Sequence, residues 1–287
     1  MEKEIRSGII DIIILFYNKV DQTIACINSF LPSEQHIYVL NNGSSEKDFV
    51  RLQKLFESNE QVYFLNAGRN LGPAGGRNYL IKHTRQPWLF FVDNDITIKP
   101  ERGWMSFMDT YLNKYPNAEI ICPRIYNVHE SAYMGRLKIH LSNGVLELKP
   151  ELGNITNFFP EGGAMVKRTV FERIGLYDEE MFAFEGYELA LRALLAAHGP
   201  LEVHHIDSIV LIHDHRYQKD SKDKEAVRQR YNDERMKASY DRMVQKYGIA
   251  FDHDWRWWTN RQLYVMTAGR LRKLKDSFLN RVLFRNK

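Results

Sequence analysis

Residues 88–98, WLFFVDNDITI, place Asp93 and Asp95 one residue apart at the end of an apolar run. Two carboxylates at this spacing can present oxygens to a hard cation such as Mg²⁺ or Mn²⁺, and such ions are usually completed by substrate phosphates. Asp and Asn are also frequent in turns, because their side chains bond to nearby backbone groups. The triplet alone therefore leaves a metal site and a simple turn both open.

Three earlier loops also follow segments that are predicted as strands, and they are FYN at 16–18, NNGS at 41–44 and NAGRNLGPAGGRN at 66–78. In open α/β sheets, ligands bind beyond the carboxyl ends of the strands, where such loops converge. In the third loop, Arg69 and Arg77 could neutralise phosphates, and the glycines allow close approach of backbone to a ligand. That loop alone would be a structural turn, but four loops in succession favour the metal site.

The elements that would hold these loops alternate between strand and helix. Apolar runs rich in β-branched residues predict strands at 8–18, 36–40, 61–66 and 88–92. Helical spacing of apolar residues predicts helices at 21–30, with Asp21 as the N-cap, at 49–58 and at 75–84. This order predicts an α/β, Rossmann-like fold with a mostly parallel central sheet and helices on both faces.

Beyond about residue 100 the alternation is less regular. Strands are predicted at 118–126 and 208–215, whereas 127–160 is rich in turn residues and fits either a β-hairpin or a mobile loop. Residues 223–248 show a helical pattern that Gly248 ends.

The composition is that of a soluble globular protein, with 44% hydrophobic and 26% charged residues. Cys26 and Cys122 lie in apolar surroundings and are predicted to be buried thiols, which suits a reducing compartment. The N-terminus does not have the pattern of a signal peptide, and no apolar stretch reaches the length of a membrane span. A cytoplasmic protein is therefore expected.

The basic charge of the chain is concentrated in its last part. Residues 255–287 carry nine Lys or Arg and one Asp, a net +8, which leaves −4 for residues 1–254. Apolar residues at 271, 274, 278 and 282 form one helical stripe among these charges, a pattern typical of an interfacial helix on an anionic membrane. A helix packed on the catalytic domain and a homo-oligomer contact stay open as alternatives. Nucleic acid binding is not favoured, since no recognised motif occurs and the body is acidic.

The order of these motifs resembles that of GT-A fold glycosyltransferases, in particular glycosyltransferase family 2. The opening strand ends in Tyr17-Asn18, LNNGSSEKD is similar to the family's D-[DN]-G-S-x-x-D, NLGPAGGRN is similar to its N-x-G-x-x-x-A-x-N, and DNDI matches its D-x-D. The resemblance covers roughly residues 8–215. It implies the GT-A fold, a nucleotide-sugar donor and Mn²⁺ or Mg²⁺ as cofactor.

The resemblance also implies roles for the donor side. The first two loops would hold the nucleoside, the third would lie near base or sugar, Asp93 and Asn94 would contact the donor, and Asp95 would bind the metal on the diphosphate. The implied donor-binding residues are Phe16, Tyr17, Asn18, Asn41, Asn42, Arg69, Gly72, Gly75, Asn78, Asp93 and Asn94. Asn41 replaces the family's usual acid, so its nucleoside contact must be a neutral hydrogen bond.

On the acceptor side, the segment FFPEGGAMVKR resembles the family's Gly-rich strand, where Gly162 and Gly163 would leave room for a sugar. The family's general base is an Asp at the position of Gly186, so Glu185 is the first candidate base here and Glu188 the second. Glu185, Glu188 and Arg192 share one helix face, and the alternative for Glu188 is a surface salt bridge to Arg192.

One histidine of VLIHDHRYQK is in the place where a histidine completes the metal site in GT-A enzymes. His213 and His215 are both candidates, so the implied metal ligands are Asp93, Asp95 and one of these two histidines. The alternative is an ordinary polar histidine.

The resemblance implies an inverting transferase that moves a sugar, predicted to be UDP-linked, to a hydroxyl of a glycan or lipid-linked glycan at the inner face of the cell membrane. Residues 1–220 are predicted to form the GT-A domain, with the acceptor side mainly in 100–220, and 221–287 a helical extension with a basic amphipathic tail. Two rivals are a catalytically silent sugar-nucleotide or glycan-binding protein and a nucleotidyltransferase. FYNKVDQ lacks the Gly-rich phosphate loop of the latter.

Overall fold

The computed structural model describes residues 9–214, 232–252 and 255–256. Their strands are β1 (Ile10–Phe16), β2 (His36–Asn41), β3 (Val62–Asn66), β4 (Trp88–Asp93), β5 (Ile96–Lys99), β6 (Ile120–Asn127), β7 (Ala132–Tyr133), β8 (Leu137–Ser142), β9 (Val145–Pro150), β10 (Ile155–Thr156), β11 (Gly163–Lys167), β12 (Val203–His213) and β13 (Ala250–Phe251). Their α-helices are α1 (Val20–Phe30), α2 (Glu46–Leu55), α3 (Gly72–His83), α4 (Trp104–Lys114), α5 (Arg168–Ile174), α6 (Glu185–Leu195) and α7 (Asp233–Tyr247).

The main sheet has the order β10-β12-β6-β11-β4-β1-β2-β3, with β5 paired to β12 and β7 to β6. The pairs β3-β2, β2-β1, β1-β4 and β6-β12 are parallel, whereas β11 is antiparallel to both β4 and β6. Six long strands therefore run in one direction and end at the same edge, where β11 begins. We call this the carboxyl edge.

Helices cover both faces of this sheet, because alternate residues of a strand point to opposite sides. Ile13 of β1 and Phe91 of β4 belong to a core that also contains side chains of α3, α5 and α6. Ile12 and Phe90 belong to a second core with side chains of α1, α2 and α4. The predicted mostly parallel α/β sheet with two helical layers is confirmed.

The predicted elements are present, with local differences at their ends. The prediction that Asp21 caps α1 is wrong, because the helix begins one residue earlier and Lys19, in a left-handed conformation at φ 54°, is its N-cap. Strand β12 begins at Val203 rather than at 208, since a register shift between Ile206 and Val210 interrupts the apolar pattern. Residues 127–160, for which a β-hairpin and a mobile loop were both open, contain the hairpin of β8 and β9.

Helix α7 ends at Gly248, as predicted, and Gly248 adopts a left-handed conformation that favours glycine. Met236 and Met243 of α7 lie in the core shared with α6, and β13 pairs with β9. The described part of the C-terminal region thus packs on the sheet domain. The domain boundary predicted at residue 220 and the tail from 257 onward lie outside the described residues and stay predictions.

Cys26 and Cys122 are fully buried, as predicted, and burial raises the pKa of both thiols. Among the described residues, no helix combines the length and the apolar character needed to cross a membrane.

Asp11 is a fully buried carboxylate at the amino end of β1, opposite to the carboxyl edge. Its Oδ2 accepts hydrogen bonds from the backbone N–H groups of Arg85 and Gln86, both at 2.7 Å, and so fixes the chain just before β4.

We therefore expect Asp11→Ala to lower the free energy of unfolding by about 3 kcal/mol, because two backbone donors lose their acceptor. Urea unfolding measures this change. Asp21→Ala is the matched control, since Asp21 is 80% exposed and pairs with an exposed Arg51, and its loss should stay within about 0.5 kcal/mol. Equal losses in the two variants would contradict this account of Asp11.

Candidate active site

The carboxyl edge brings the predicted loops together. Phe16, Asn41 and Asn66 are register partners at the ends of β1, β2 and β3, and Leu15 lies opposite Asp93 at the end of β4. Four loops that are separated along the chain therefore begin side by side.

Asp93, Asp95 and His213 form one cluster, in which each offers a ligand atom within 4.8 Å of the others. A tight turn joins β4 to β5, and β5 pairs with β12 so that His213 lies opposite Ile96, next to Asp95. His213 Nε2 lies 3.3 Å from Asp95 Oδ1, while its Nδ1 lies 3.2 Å from Asn127 Oδ1. The segment Asp93–Asp95 thus contains a turn and also contributes two carboxylates to a cluster of possible metal ligands.

Lys19 adds a positive charge to this cluster, because its Nζ donates a hydrogen bond to Asp95 Oδ2 at 2.9 Å. The left-handed conformations of Asn18 and Lys19 turn the chain between β1 and α1 at this point. Burial opposes ionisation of Asp95, but the hydrogen bonds and charges of His213 and Lys19 overcome it and hold the pKa of Asp95 well below its usual range. Asp95 is therefore an anion with two cationic or donor partners.

Arg77, on the buried side of α3, is the centre of a second cluster. Its Nη1 donates to Glu185 Oε1 at 2.9 Å and lies 3.7 Å from Glu161 Oε2, and its Nη2 lies 3.8 Å from Asp93 Oδ1. Although burial opposes the charge, Glu161, Glu185 and Asp93 together raise the pKa of Arg77. The guanidinium is thus a permanent cation between three carboxylates.

Glu161, like Lys19, is a residue of this site that sequence reasoning missed. It lies in the turn before β11, and its buried Oε1 has no hydrogen-bond partner among the described residues. Burial raises the pKa of Glu161 to about 8, and the charges of Glu185 and Asp93 add to this effect against that of Arg77. The available signal was an acid directly before the glycine pair of PEGG, together with the missing acid at position 186.

The glycines of the acceptor segment accommodate protein side chains. A Cβ on Gly162 would lie 2.2 Å from Asp93 Oδ2, and a Cβ on Gly163 would lie 2.7 Å from the Cδ1 atom of Ile125. The role of both glycines in acceptor binding stays a prediction, and a side chain at either position would require Asp93 or Ile125 to shift.

Four asparagines that were predicted to bind the donor form hydrogen bonds within the protein. Asn41 Oδ1 accepts from Ser44 N, and Asn42 bonds to the backbone of Leu71 and Gly72. Asn94 Nδ2 donates to Asn18 O and Thr23 Oγ1. Asn78 bonds to both backbone groups of Tyr177 and to Glu179. These side chains tie the loops to one another, and their donor contacts stay predictions.

The other predicted donor residues differ in exposure. The side chain of Phe16 is fully buried in the core, so a donor contact of this residue would have to come from its backbone. Arg69 is exposed, Gly72 begins α3 with φ +72°, and Gly75 is buried in that helix. Tyr17 lies next to Asn18 in the loop after β1. His215, the second candidate histidine, lies outside the described residues.

The two candidate bases on α6 have different surroundings. Glu185 joins the Arg77 cluster. Glu188 is completely buried and accepts hydrogen bonds from Arg192 at 2.9 Å, from Lys246 at 2.9 Å and from the Tyr247 hydroxyl. The salt bridge to Arg192 is therefore part of a buried network that binds α7 to α6, and a catalytic role of either glutamate stays a prediction.

Two relatives among known proteins match parts of the chain. An uncharacterised protein of Haemophilus influenzae is 32% identical over 85 residues, 29% of this chain and 46% of that protein, so the match spans less than half of the relative's length. The dTDP-rhamnosyl transferase RfbF of Shigella flexneri is 27% identical over 220 residues, 72% of this chain and 69% of that protein.

Among solved structures, the mannosyltransferase PcManGT from Pyrobaculum calidifontis, in complex with GDP-Man and Mn²⁺, superposes with a TM-score of 0.55. The sequence identity is 12%, and the superposition covers 96% of this chain and 75% of that chain, so the likeness shows the shared GT-A fold alone. The family model described as Glycosyl transferase family 2 matches residues 11–175, more than half of the chain. The chain therefore belongs to glycosyl transferase family 2.

Proposed function

We propose that this protein transfers a sugar from a nucleoside diphosphate sugar to a hydroxyl group of a glycan or lipid-linked glycan. The observation that carries the proposal is the cluster of Asp93, Asp95 and His213 at the edge where the loops after β1, β2 and β3 converge. A ligand at this edge would meet oxygen and nitrogen donors on one side and the glycine loop on the other.

The two carboxylates and the imidazole of this cluster fit a divalent metal ion. Mn²⁺ accepts both kinds of ligand, and Mg²⁺ accepts the carboxylates. The contact between His213 Nδ1 and Asn127 Oδ1 supports this role, because metal-binding histidines usually donate their other ring N–H to an oxygen. A bound metal would offset the negative charge that develops on the diphosphate leaving group.

One relative supports a pyrimidine nucleotide in the donor. UDP is the nucleotide that the sequence predicts, and the relative with the longer matched region is named a dTDP-rhamnosyl transferase. Asn41 and Asn42 would shape the nucleoside loop through their backbone hydrogen bonds rather than through a charge. We therefore propose UDP or dTDP as the nucleotide.

A cavity of about 320 Å³ is our candidate for the acceptor site. It lies between β6, β12 and the segments around Met134 and Phe158, and its lining includes Arg124, Arg136 and Pro160. Pro160 directly precedes Glu161, so the cavity adjoins the carboxylates of the site in sequence. In the proposed reaction the acceptor oxygen displaces the nucleoside diphosphate directly, a carboxylate takes the proton, and the anomeric carbon is inverted.

The first expectation concerns the donor. Among UDP, dTDP and GDP, a pyrimidine nucleotide with Mn²⁺ should raise the melting temperature, because a ligand that binds only the folded state stabilises it by mass action. The protein should also slowly release nucleoside diphosphate from the matching nucleotide-sugar. Asp95→Ala should lower this release at least about 100-fold, and Asp109→Ala, an exposed change on α4, should not. Nucleotide binding without any release would instead favour a silent sugar-nucleotide-binding protein.

The second expectation concerns Lys19, whose ammonium group shares Asp95 with any bound cation. Lys19→Met should strengthen Mn²⁺ binding to the nucleotide-free protein by about 5-fold, because a competing positive charge is removed from a partly exposed ion pair. Titration followed by the paramagnetic resonance of free Mn²⁺ measures the affinity. Lys99→Met, which breaks an exposed pair with Glu101, is the control. Unchanged or weaker binding in Lys19→Met would contradict a metal site at Asp95.

A further inference from the structure

The carboxylate of Glu161 occupies the space that a side chain at position 186 would fill. A Cβ built on Gly186 would lie 2.6 Å from Cδ of Glu161 and 2.7 and 2.8 Å from its two oxygens. A Cβ atom essentially never lies this close to a non-bonded neighbour, so a larger residue at position 186 would require the Glu161 side chain to move. The two positions share one volume, and only one of them can supply an acid to it.

The two residues come from different elements. Glu161 lies in the turn that Gly163 N closes by donating to Pro160 O at 3.1 Å, and this turn leads into β11. Gly186 is the second residue of α6. The carboxylate therefore reaches the start of α6 from the sheet side.

Arg77 separates Glu161 from the neighbouring Glu185. Glu185 receives a hydrogen bond from the guanidinium at 2.9 Å, whereas Glu161 lies at 3.7 Å, too far for one. Within the part of the chain that the structure describes, Glu161 Oε1 has no hydrogen-bond partner, although most buried polar atoms in proteins have one. Glu161 thus has a buried oxygen with unused hydrogen-bonding capacity, and 15% of its side chain is exposed against 10% for Glu185.

The surroundings place Glu161 next to the proposed donor site. Glu161, Arg77 and Asp93 line the same small cavity, whose other walls include Ile13, Leu80 and Phe91. Asp93 belongs at the same time to the cluster with Asp95 and His213. The Glu161 carboxylate is thus close to a candidate metal ligand, and Pro160, the residue before it, lines the candidate acceptor cavity.

We propose that Glu161, and not a residue of α6, accepts the proton of the attacking hydroxyl. The inference rests on the proposed sugar transfer. The acceptor oxygen forms a bond to the anomeric carbon, the bond between that carbon and the β-phosphate oxygen breaks, and the nucleoside diphosphate leaves with the electron pair. The proton of the hydroxyl passes to the Glu161 carboxylate, so charge and atoms balance. Water takes the place of the acceptor when the donor is hydrolysed.

The test compares four variants with the wild type in the release of nucleoside diphosphate from UDP-glucose, UDP-N-acetylglucosamine and dTDP-rhamnose with Mn²⁺. Glu161→Gln, which keeps the size of the side chain, should lower kcat at least about 100-fold, while the thermal shift with UDP or dTDP and Mn²⁺ stays within about 1 °C of the wild type. Glu172→Gln, an exposed change on α5, should leave both unchanged. Glu161→Ala with Gly186→Asp, which returns an acid to the shared space from the other side, should release nucleotide at least 10-fold faster than Glu161→Ala alone.

The outcomes separate this inference from the proposed function. Wild-type turnover together with unchanged kcat in Glu161→Gln would overturn the inference and leave the transferase proposal standing. A loss of turnover in Glu161→Gln with an equal loss of the nucleotide thermal shift would make Glu161 a structural residue and also overturn it. If the wild type released nucleotide from none of the three donors, both proposals would fall together.

Discussion

The guanidinium of Arg77 faces three carboxylates at the carboxyl edge, and the charges of the site follow from this one contact. Glu185, Glu161 and Asp93 lie 2.9, 3.7 and 3.8 Å from it. One cation cannot balance three anions in a place where burial weakens their solvation. Two features reduce this excess of negative charge. Burial raises the pKa of Glu161 to about 8, and Asp93 keeps 37% of its side chain exposed to solvent. The cluster thus raises the proton affinity of the Glu161 carboxylate and leaves the Asp93 carboxylate open to a further cation.

Asp93 connects this cluster to the one around Asp95. The two clusters have opposite character, because Lys19 and His213 hold the pKa of Asp95 low, whereas burial holds that of Glu161 high. In the proposed reaction these conditions suit the two ends of the transfer, since the phosphate side needs fixed charges and the acceptor side needs a carboxylate that holds a proton readily. Asp93, at the end of β4, therefore belongs to both the Arg77 cluster and the Asp95 cluster.

The fold could be predicted from the sequence because strand and helix periodicity survives in the first half of the chain, and the loops that matter all follow strands. The cluster of Asp93, Asp95 and His213 could be predicted in part for the same reason, because these residues end or directly follow strands, although the sequence left His213 and His215 both open. The hydrogen bonds of Asn42 and Asn78 could not be predicted from the sequence, because their partners, Leu71 and Tyr177, are known only once the helices and strands pack together. Glu161 was missed on the same ground, since no local pattern shows that residues 161 and 186 share one volume.

The sequence interpretation took Gly162 and Gly163 as space for a sugar, and the structure places a carboxylate against Gly162 and another against Gly186. The Asp93 carboxylate stands against Gly162, and the Glu161 carboxylate stands against Gly186. Each glycine thus permits a carboxylate from another element to approach the backbone more closely than a Cβ would allow. A glycine where a family carries an acid need not mean that the acid is lost. In this chain it is the condition under which a longer acid, reaching from the turn before β11, can occupy the same place.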